Sequence, residues 1–250
     1  MGAFHEGHLS LMRESKRNGQ FTVISIFVNP TQFGPNEDLS KYPRQEEADL
    51  KMAEAAGVDL AFLPTAEELY GGSSTKVIVE GPSQNWEGAK RPGHFSGVAT
   101  IVLKLFNIVK PNSAYFGLKD LQQCAVIRQM CRDLDLDIQL KFIETVRDVD
   151  GLALSSRNQY LNRNEREHAA VFPTELLKTA LLIRESGLIS KHLSNLKSNL
   201  EQAGFQVDYA ACVDPNDMNE VESITETTRL MSAVRYAGIR LLDNWPISKI

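Results

Sequence analysis

Apolar, β-branched runs alternate with helix-length amphipathic stretches through the first two thirds of this chain. Thr22 to Val28 (TVISIFV) and residues 58–63, 113–116 and 138–145 read as strands, with a further short strand at 75–80. Residues 7–18, 45–56, 97–109 and 120–134 read as the helices between them, several stopped by Gly or Pro. TVISIFV has no polar alternation beyond Ser25, which suits a parallel strand buried on both faces. Strand–helix–strand repetition then implies a parallel α/β sheet with right-handed crossovers.

After about residue 157 the texture changes. Two helical stretches, 164–186 with Pro173 inside and 190–203, precede strand-like runs at 205–213, 229–235 and 238–243. Helices followed by strands imply a separate α+β domain. The expected division is 1–153 and 154–250. A chain of 250 residues has room for two such unequal domains.

Charge and cysteine content narrow the function. Twenty-seven basic against thirty-two acidic residues give a net charge of −5, which argues against a general nucleic-acid binder. No apolar run approaches the ~18 residues that would span a bilayer, and no signal peptide is read at the start. Cys124, Cys131 and Cys212 are odd in number and sit among apolar neighbours, so reduced core thiols and a cytoplasmic location are expected.

Four segments carry chemistry. His5-Glu6-Gly7-His8 stands at the start of the first helix, where an i, i+3 spacing puts both imidazoles on one side of a turn. Free backbone N–H groups and the positive dipole end attract phosphate there. The plainer reading is that the two histidines merely cap the helix, and a zinc site lacks further ligands nearby. Gly117-Leu118-Lys119-Asp120 repeats this at the end of another strand, with Asp120 able to cap and Lys119 supplying a cation. Leu154-Ser155-Ser156-Arg157 offers two hydroxyls beside a planar donor fork, or else a polar linker, and Arg147 either joins that cluster or is solvated. Asn29 to Gly34 lies at a strand's carboxyl end, and Gln32 there can both donate and accept. Gln122 and Gln123 are equally good as exposed helix residues. The Arg91-Pro92-Gly93-His94 segment either faces the cleft or caps the next helix. Each site alone has an ordinary explanation. All of them fall at the same expected sheet edge, or at the junction facing it.

Taken in order, MGAFHEGH at 1–8, SIFVNPTQFGPNEDLSKYPR at 25–44, RPGHFSGVATIVLKLFN at 91–107, YFGLKD at 115–120 and DGLALSSRNQYL at 150–161 resemble the pantoate–β-alanine ligase family. That family shares HIGH and KMSKS signatures with class I aminoacyl-tRNA synthetases. His5-Glu6-Gly7-His8 is similar to the first, and Leu154-Ser155-Ser156-Arg157 to the second. The resemblance implies a Rossmann-like parallel sheet followed by a smaller C-terminal α+β lid. It implies ATP-dependent joining of pantoate to β-alanine through a bound pantoyl adenylate, releasing pyrophosphate and then AMP. ATP contacts carried over residue by residue are Met1, Gly2, Ala3, Phe4, His5, Glu6, Gly7, His8, Gly117, Leu118, Lys119, Asp120, Val146, Leu154, Ser155, Ser156 and Arg157. Gln32 and Gln123 would hold pantoate, with Gln32 also near β-alanine. His8 matches the proton donor, and His5, Lys119 and Arg157 are expected to stabilise growing phosphate charge with it. Magnesium and a homodimer are implied as well. An acyl adenylate hydrolyses readily, so the 29–38 loop and the C-terminal domain are expected to close over it.

Two departures stand out. The family has a strand ahead of the residue matched by Met1, and without it flanking strands would keep unpaired edges. Leu118 stands where an acidic residue is common. Other nucleotidyl-transferring enzymes share the HxGH physics but lack the NPTQFGPNEDL and SSRN segments. A non-catalytic adenine-nucleotide binder is the competing reading from a different class.

Overall fold

The computed structural model describes residues 2–35 and 37–248. The chain divides into two compact units, Met1–Leu118 with Gln122–Glu144, and Lys119–Leu121 with Thr145–Ile250. Residues 145–153, placed by the sequence with the N-terminal domain, fall in the second unit.

The first unit alternates helix and strand: α1 (Glu6–Arg17), β1 (Val23–Ser25), α2 (Glu46–Ala55), β2 (Leu60–Phe62), α3 (Ala66–Tyr70), α4 (Trp86–Lys90), α5 (His94–Val109), β3 (Ser113–Gly117), α6 (Leu121–Asp133) and β4 (Gln139–Ile143). Pairing is parallel throughout. β1 pairs with β2 in the register Val23↔Leu60, and β3 with β4 from Ser113↔Gln139 to Gly117↔Ile143. Among the described residues these are two separate two-stranded sheets rather than one. Phe4, Leu9, Met12, Ile26 and Ala53 pack α1 and α2 against the first pair. Val98, Phe106, Val126, Ile127 and Met130 of α5 and α6 cover the second, beside Phe116 and Leu140. The short strand expected at 75–80 does not form a ladder. That segment lies on α5 instead, where the Val77 N–H donates to Thr100 Oγ1 at 2.9 Å.

The second unit comprises α7 (Arg163–Ala169), α8 (Val171–Ser186), α9 (Ile189–Gln202), β5 (Gln206–Val213), β6 (Arg229–Tyr236) and β7 (Ile239–Pro246). The single helix expected over 164–186 is two helices that break at Ala170. Pro173 explains the break, because it has no N–H for the Ala169 carbonyl and its ring would meet that carbonyl in a continuous helix. The three strands form an antiparallel meander. Ala237 and Gly238 join β6 to β7 with positive φ at both residues (48° and 79°), the geometry of a tight hairpin turn. Phe172, Leu176, Ile183, Leu196, Leu200, Leu230 and Val234 form the core between helices and sheet.

All three cysteines are free and buried, as the sequence implied. Burial pushes the Cys212 thiol up to about 12 and raises Cys131 too, so neither is a ready nucleophile. No helix among the described residues is long and apolar enough to cross a membrane.

Candidate active site

The His-x-x-His turn, expected either to cap the helix or to meet phosphate, forms a cap. His5 is the N-cap of α1, in extended backbone (φ −143°, ψ 173°), and its Nδ1 accepts the Gly7 N–H at 3.1 Å. The His5 N–H donates in turn to His8 Nδ1 at 3.3 Å, closing a reciprocal capping box. The ring centroids lie 4.1 Å apart, tilted by 48°. A nitrogen that accepts an N–H holds its lone pair, so each neutral ring carries its proton on Nε2. Capping therefore uses Nδ1 of each ring and not Nε2. It fixes the tautomer, and two Nε2–H donors stand at a helix N-terminus.

What holds this turn in place is Asp49, which the sequence reading did not single out. Its side chain is buried within α2, and its two oxygens accept the Ala3 and Phe4 N–H groups at 2.7 Å each. Gly2 has φ +92°, and a Cβ there would come within 3.1 Å of Asp49 Oδ2, so a side chain at position 2 would press on the clamp. The one signal was the spacing of Asp49 with Met52, Ala53 and Ala56, which puts a carboxylate on the inward stripe of the helix. Met1 lies outside the described residues. The Glu6 carboxylate is taken by Arg13 at 2.6 Å on the surface.

The 29–35 loop opens with a 3-10 turn, Pro30–Gln32, capped by buried Asn29. Asn29 Oδ1 accepts from the Thr31 hydroxyl at 2.9 Å and the Tyr70 hydroxyl at 2.8 Å. Its Nδ2 donates to Gln32 Oε1 at 3.2 Å and to the Gly97 carbonyl at 3.1 Å. The acceptor end of the Gln32 amide is thus engaged by protein. The Gln32 carbonyl meets His94 Nδ1 at 2.8 Å and Arg91 at 3.3 Å. Arg91 Nε and NH2 each donate to Glu37 at 2.6 Å. Burial alone would raise the Glu37 carboxyl, but the Arg91 fork and the Gly34 N–H hold it below its usual range. Burial, then the Arg91 charge, hold His94 below its usual value, so the ring is neutral.

Of the two glutamines in α6, Gln122 is not the exposed helix residue it resembled. It is buried, donates to the Pro82 and Asn85 carbonyls at 2.8 Å and accepts the Glu87 N–H at 2.9 Å, tying down residues 82–87. Gln123 is half-buried in the first turn of the same helix.

In the second unit, Lys119 sits in a 3-10 turn (Leu118–Asp120) and its Nζ donates to Asp120 Oδ1 at 3.3 Å. Residues 146–154 fold into a small hairpin, with the Leu154 N–H on the Val146 carbonyl at 3.0 Å. Ser155 caps the turn Ser156–Tyr160, its Oγ accepting the Arg157 N–H at 3.3 Å. Lys119, Ser155, Asn158 and Asp243 share the lining of one small pocket.

Arg147 neither joins that cluster nor lies in solvent. It makes two bonds to Asp243 at 2.6 and 2.8 Å, donates to the Gly151 and Asn244 carbonyls, and lies 3.8 Å from the Trp245 ring. Burial lifts the Asp243 carboxyl above its usual range while Arg147 and the Asn244 N–H pull against that lift. Asn244 Nδ2 reaches the Lys119 carbonyl at 3.3 Å, so β7 braces both the lysine turn and the 146–154 hairpin.

Among the described residues no group of three or more His, Cys, Asp and Glu side chains could hold a metal ion. Comparison with known proteins completes the picture. A model of the family described as Pantoate-beta-alanine ligase matches residues 1–246. A pantothenate synthetase of Rhizorhabdus wittichii is 47% identical over 246 residues, covering 98% of this chain and 87% of that protein. The crystal structure of pantothenate synthetase from Thermus thermophilus superposes with a TM-score of 0.95 at 44% identity, covering 99% of this chain and 91% of that one. Pantoate-beta-alanine ligase from Francisella tularensis, complexed with beta-gamma ATP and beta-alanine, gives 0.84 at 32% identity, covering 100% of this chain and 88% of that one. With sequence and fold matched over nearly its whole length, the chain belongs to the pantoate-beta-alanine ligase family.

Proposed function

We propose that this chain activates pantoate with ATP and joins it to β-alanine, yielding pantothenate, AMP and pyrophosphate. The observation that supports this most is the histidine capping box, which presents two Nε2–H donors at the N-terminus of α1. In the first step a pantoate carboxylate oxygen attacks the α-phosphorus of ATP and the bond to the β-phosphate oxygen breaks. In the second the β-alanine amine attacks the acyl carbon, AMP leaves and the amine loses a proton. Neither step requires covalent help from the protein; both need positioning and charge neutralisation.

Gly2 to His8 of the first unit receive the nucleotide, and His5 and His8 donate to its phosphate oxygens. His8 matches the family's proton donor, and with Nδ1 engaged by the His5 N–H the proton it gives is on Nε2. Gly117 to Asp120, Val146 and Leu154 to Arg157 match the family's other nucleotide contacts. Lys119 and Arg157 bring cations, and Ser155 and Ser156 orient oxygens. Each such contact is worth about 3 kcal/mol where it strengthens in the transition state. Gln32 and Gln123 hold pantoate, and Asn29 steadies the Gln32 amide by donating to its oxygen.

Magnesium finds no protein cage among the described residues. It would arrive bound to the nucleotide, as Mg²⁺ keeps its waters and prefers phosphate ligands. A cytoplasmic homodimer is the expected working form. A nucleotide binder without catalysis is the second reading. Pyrophosphate release from ATP, with pantoate present and β-alanine omitted, separates the two: pantoate-dependent release supports adenylation, and ATP binding without release supports the alternative.

A further inference from the structure

The Arg91–His94 segment has no part in the chemistry above, yet it converges on the main chain of a residue that does. We propose that Glu37, Arg91 and His94 form a positioning relay that fixes the Gln32 peptide, and with it the amide that holds pantoate. The proposal rests on Gln32 being a pantoate ligand.

The relay has a single consistent direction. A carbonyl oxygen only accepts, so in the 2.8 Å contact with Gln32 the proton is on His94 Nδ1. His94 Nε2 is then the lone-pair nitrogen, and what meets it at 3.0 Å is Arg91 NH1, a donor that cannot accept. The tautomer is set from both ends, in a ring that burial keeps neutral. Arg91 is itself locked by its two 2.6 Å bonds to Glu37, with side-chain exposures of 18% and 26% for the pair. Its other NH2 contact, 3.3 Å to the same Gln32 carbonyl, closes the loop of interactions.

The opposite side of the peptide is equally constrained. Gly97 of α5 lies against the Thr31–Gln32 peptide so closely that a Cβ there would stand 2.7 Å from the Gln32 nitrogen. Asn29 holds the far end of the side chain. Gln32 is thus held by hydrogen bonds at its carbonyl and its amide oxygen, while the close approach of Gly97 leaves its main-chain nitrogen no room to shift toward α5. Three such constraints on a long, rotamer-rich side chain are what orientation of a small hydroxy acid requires, since misplacement by ~1 Å costs about 100-fold in rate.

The test is a set of His94 variants assayed for KM of pantoate, β-alanine and ATP, with kcat and thermal melts alongside. An asparagine amide nitrogen falls near the position of His Nδ1, whereas a glutamine amide nitrogen falls near Nε2. His94→Ala is expected to raise the pantoate KM about tenfold, the loss of one buried hydrogen bond, with the ATP KM within about twofold of wild type. His94→Asn is expected to restore most of that loss and His94→Gln little of it. Arg91→Lys, which keeps the charge but loses the fork, is expected to fall between. Asn and Gln variants that behave alike, or pantoate and ATP KM values that rise together, would overturn the relay. Gln32→Ala separates the two levels. If it leaves the pantoate KM unchanged, the role of Gln32 itself fails. If it raises that KM while His94→Ala and Arg91→Lys do not, only the relay fails.

Discussion

Gly97→Ala puts the packing of the 29–35 loop, proposed to hold pantoate, to a quantitative test. Gly97 lies inside α5, where alanine favours the helix by about 1 kcal/mol. Against that, the new Cβ would press hardest on the Thr31 carbonyl oxygen and would stand 2.5 Å from the Thr31 carbonyl carbon and 2.7 Å from the Gln32 nitrogen, where ordinary contact begins at 3.4 Å. The shortfall, 0.9 Å at the carbonyl carbon and more at its oxygen, falls on backbone atoms, which cannot swing aside as a side-chain tip would. Overpacking of this kind costs about 1–3 kcal/mol, so the net destabilisation is expected at about 0–2 kcal/mol. The loop then moves off the helix by nearly 1 Å and takes Gln32 with it, and the Asn29 bond to the Gly97 carbonyl stretches as well. A displacement of that size is expected to lower kcat/KM for pantoate about 100-fold, out of proportion to the stability change. The assay pairs a denaturant melt with initial rates of pyrophosphate release at varied pantoate. A variant with wild-type kcat/KM for pantoate would show that the loop does not need this close approach, and the positioning argument would fall with it.

Three further outcomes follow from the same geometry. Asp49→Asn turns one acceptor oxygen into a donor facing a backbone N–H, and is expected to cost about 1–3 kcal/mol in denaturant melts while also weakening ATP turnover, because the segment leading into His5 loses its anchor; unchanged stability would contradict the clamp. Lys119→Ala is expected to slow adenylate formation far more than it weakens ATP binding, and equal losses in a single-turnover assay and in nucleotide titration would count against a transition-state role. For pH, both His94 and Glu37 have folded values below their unfolded ones. The unfolded chain therefore takes up their protons first as pH falls, so their stabilisation is lost below about 6.5 for His94 and below about 4.5 for Glu37. His94→Asn is expected to flatten the stability-against-pH curve just below 6.5, and Glu37→Gln the part below 4.5, and curves parallel to wild type would refute the assignment.

Several features were legible because one local rule settles them. The HEGH turn announced a helix start, and its i, i+3 spacing became the capping box. The apolar runs at 229–235 and 238–243 became the strands of an antiparallel hairpin. TVISIFV was read as a seven-residue strand, yet only Val23–Ser25 join a ladder, since strand length depends on a partner that a local pattern does not contain. Residues 75–80 have strand composition and found a helix to lie on instead. The division of labour between Gln122 and Gln123 was invisible, because which glutamine turns inward depends on the placement of Pro82 and Asn85, some forty residues earlier. Asp49 and Asp243 were missed for the same reason. A buried carboxylate is recognisable only once the N–H groups or the guanidinium that justify its burial are in place. The pattern-based reading thus found the residues proposed to touch substrate, while the residues that hold them in place came from tertiary structure.

The central claim, that this chain makes an acyl adenylate from pantoate, is tested most directly by rapid-mix measurement of pyrophosphate released from ATP in the absence of β-alanine. The account predicts a burst that requires pantoate and approaches one pyrophosphate per active site, after which release slows until β-alanine is added. Pyrophosphate release that is absent while ATP still binds, or that proceeds equally without pantoate, would contradict it.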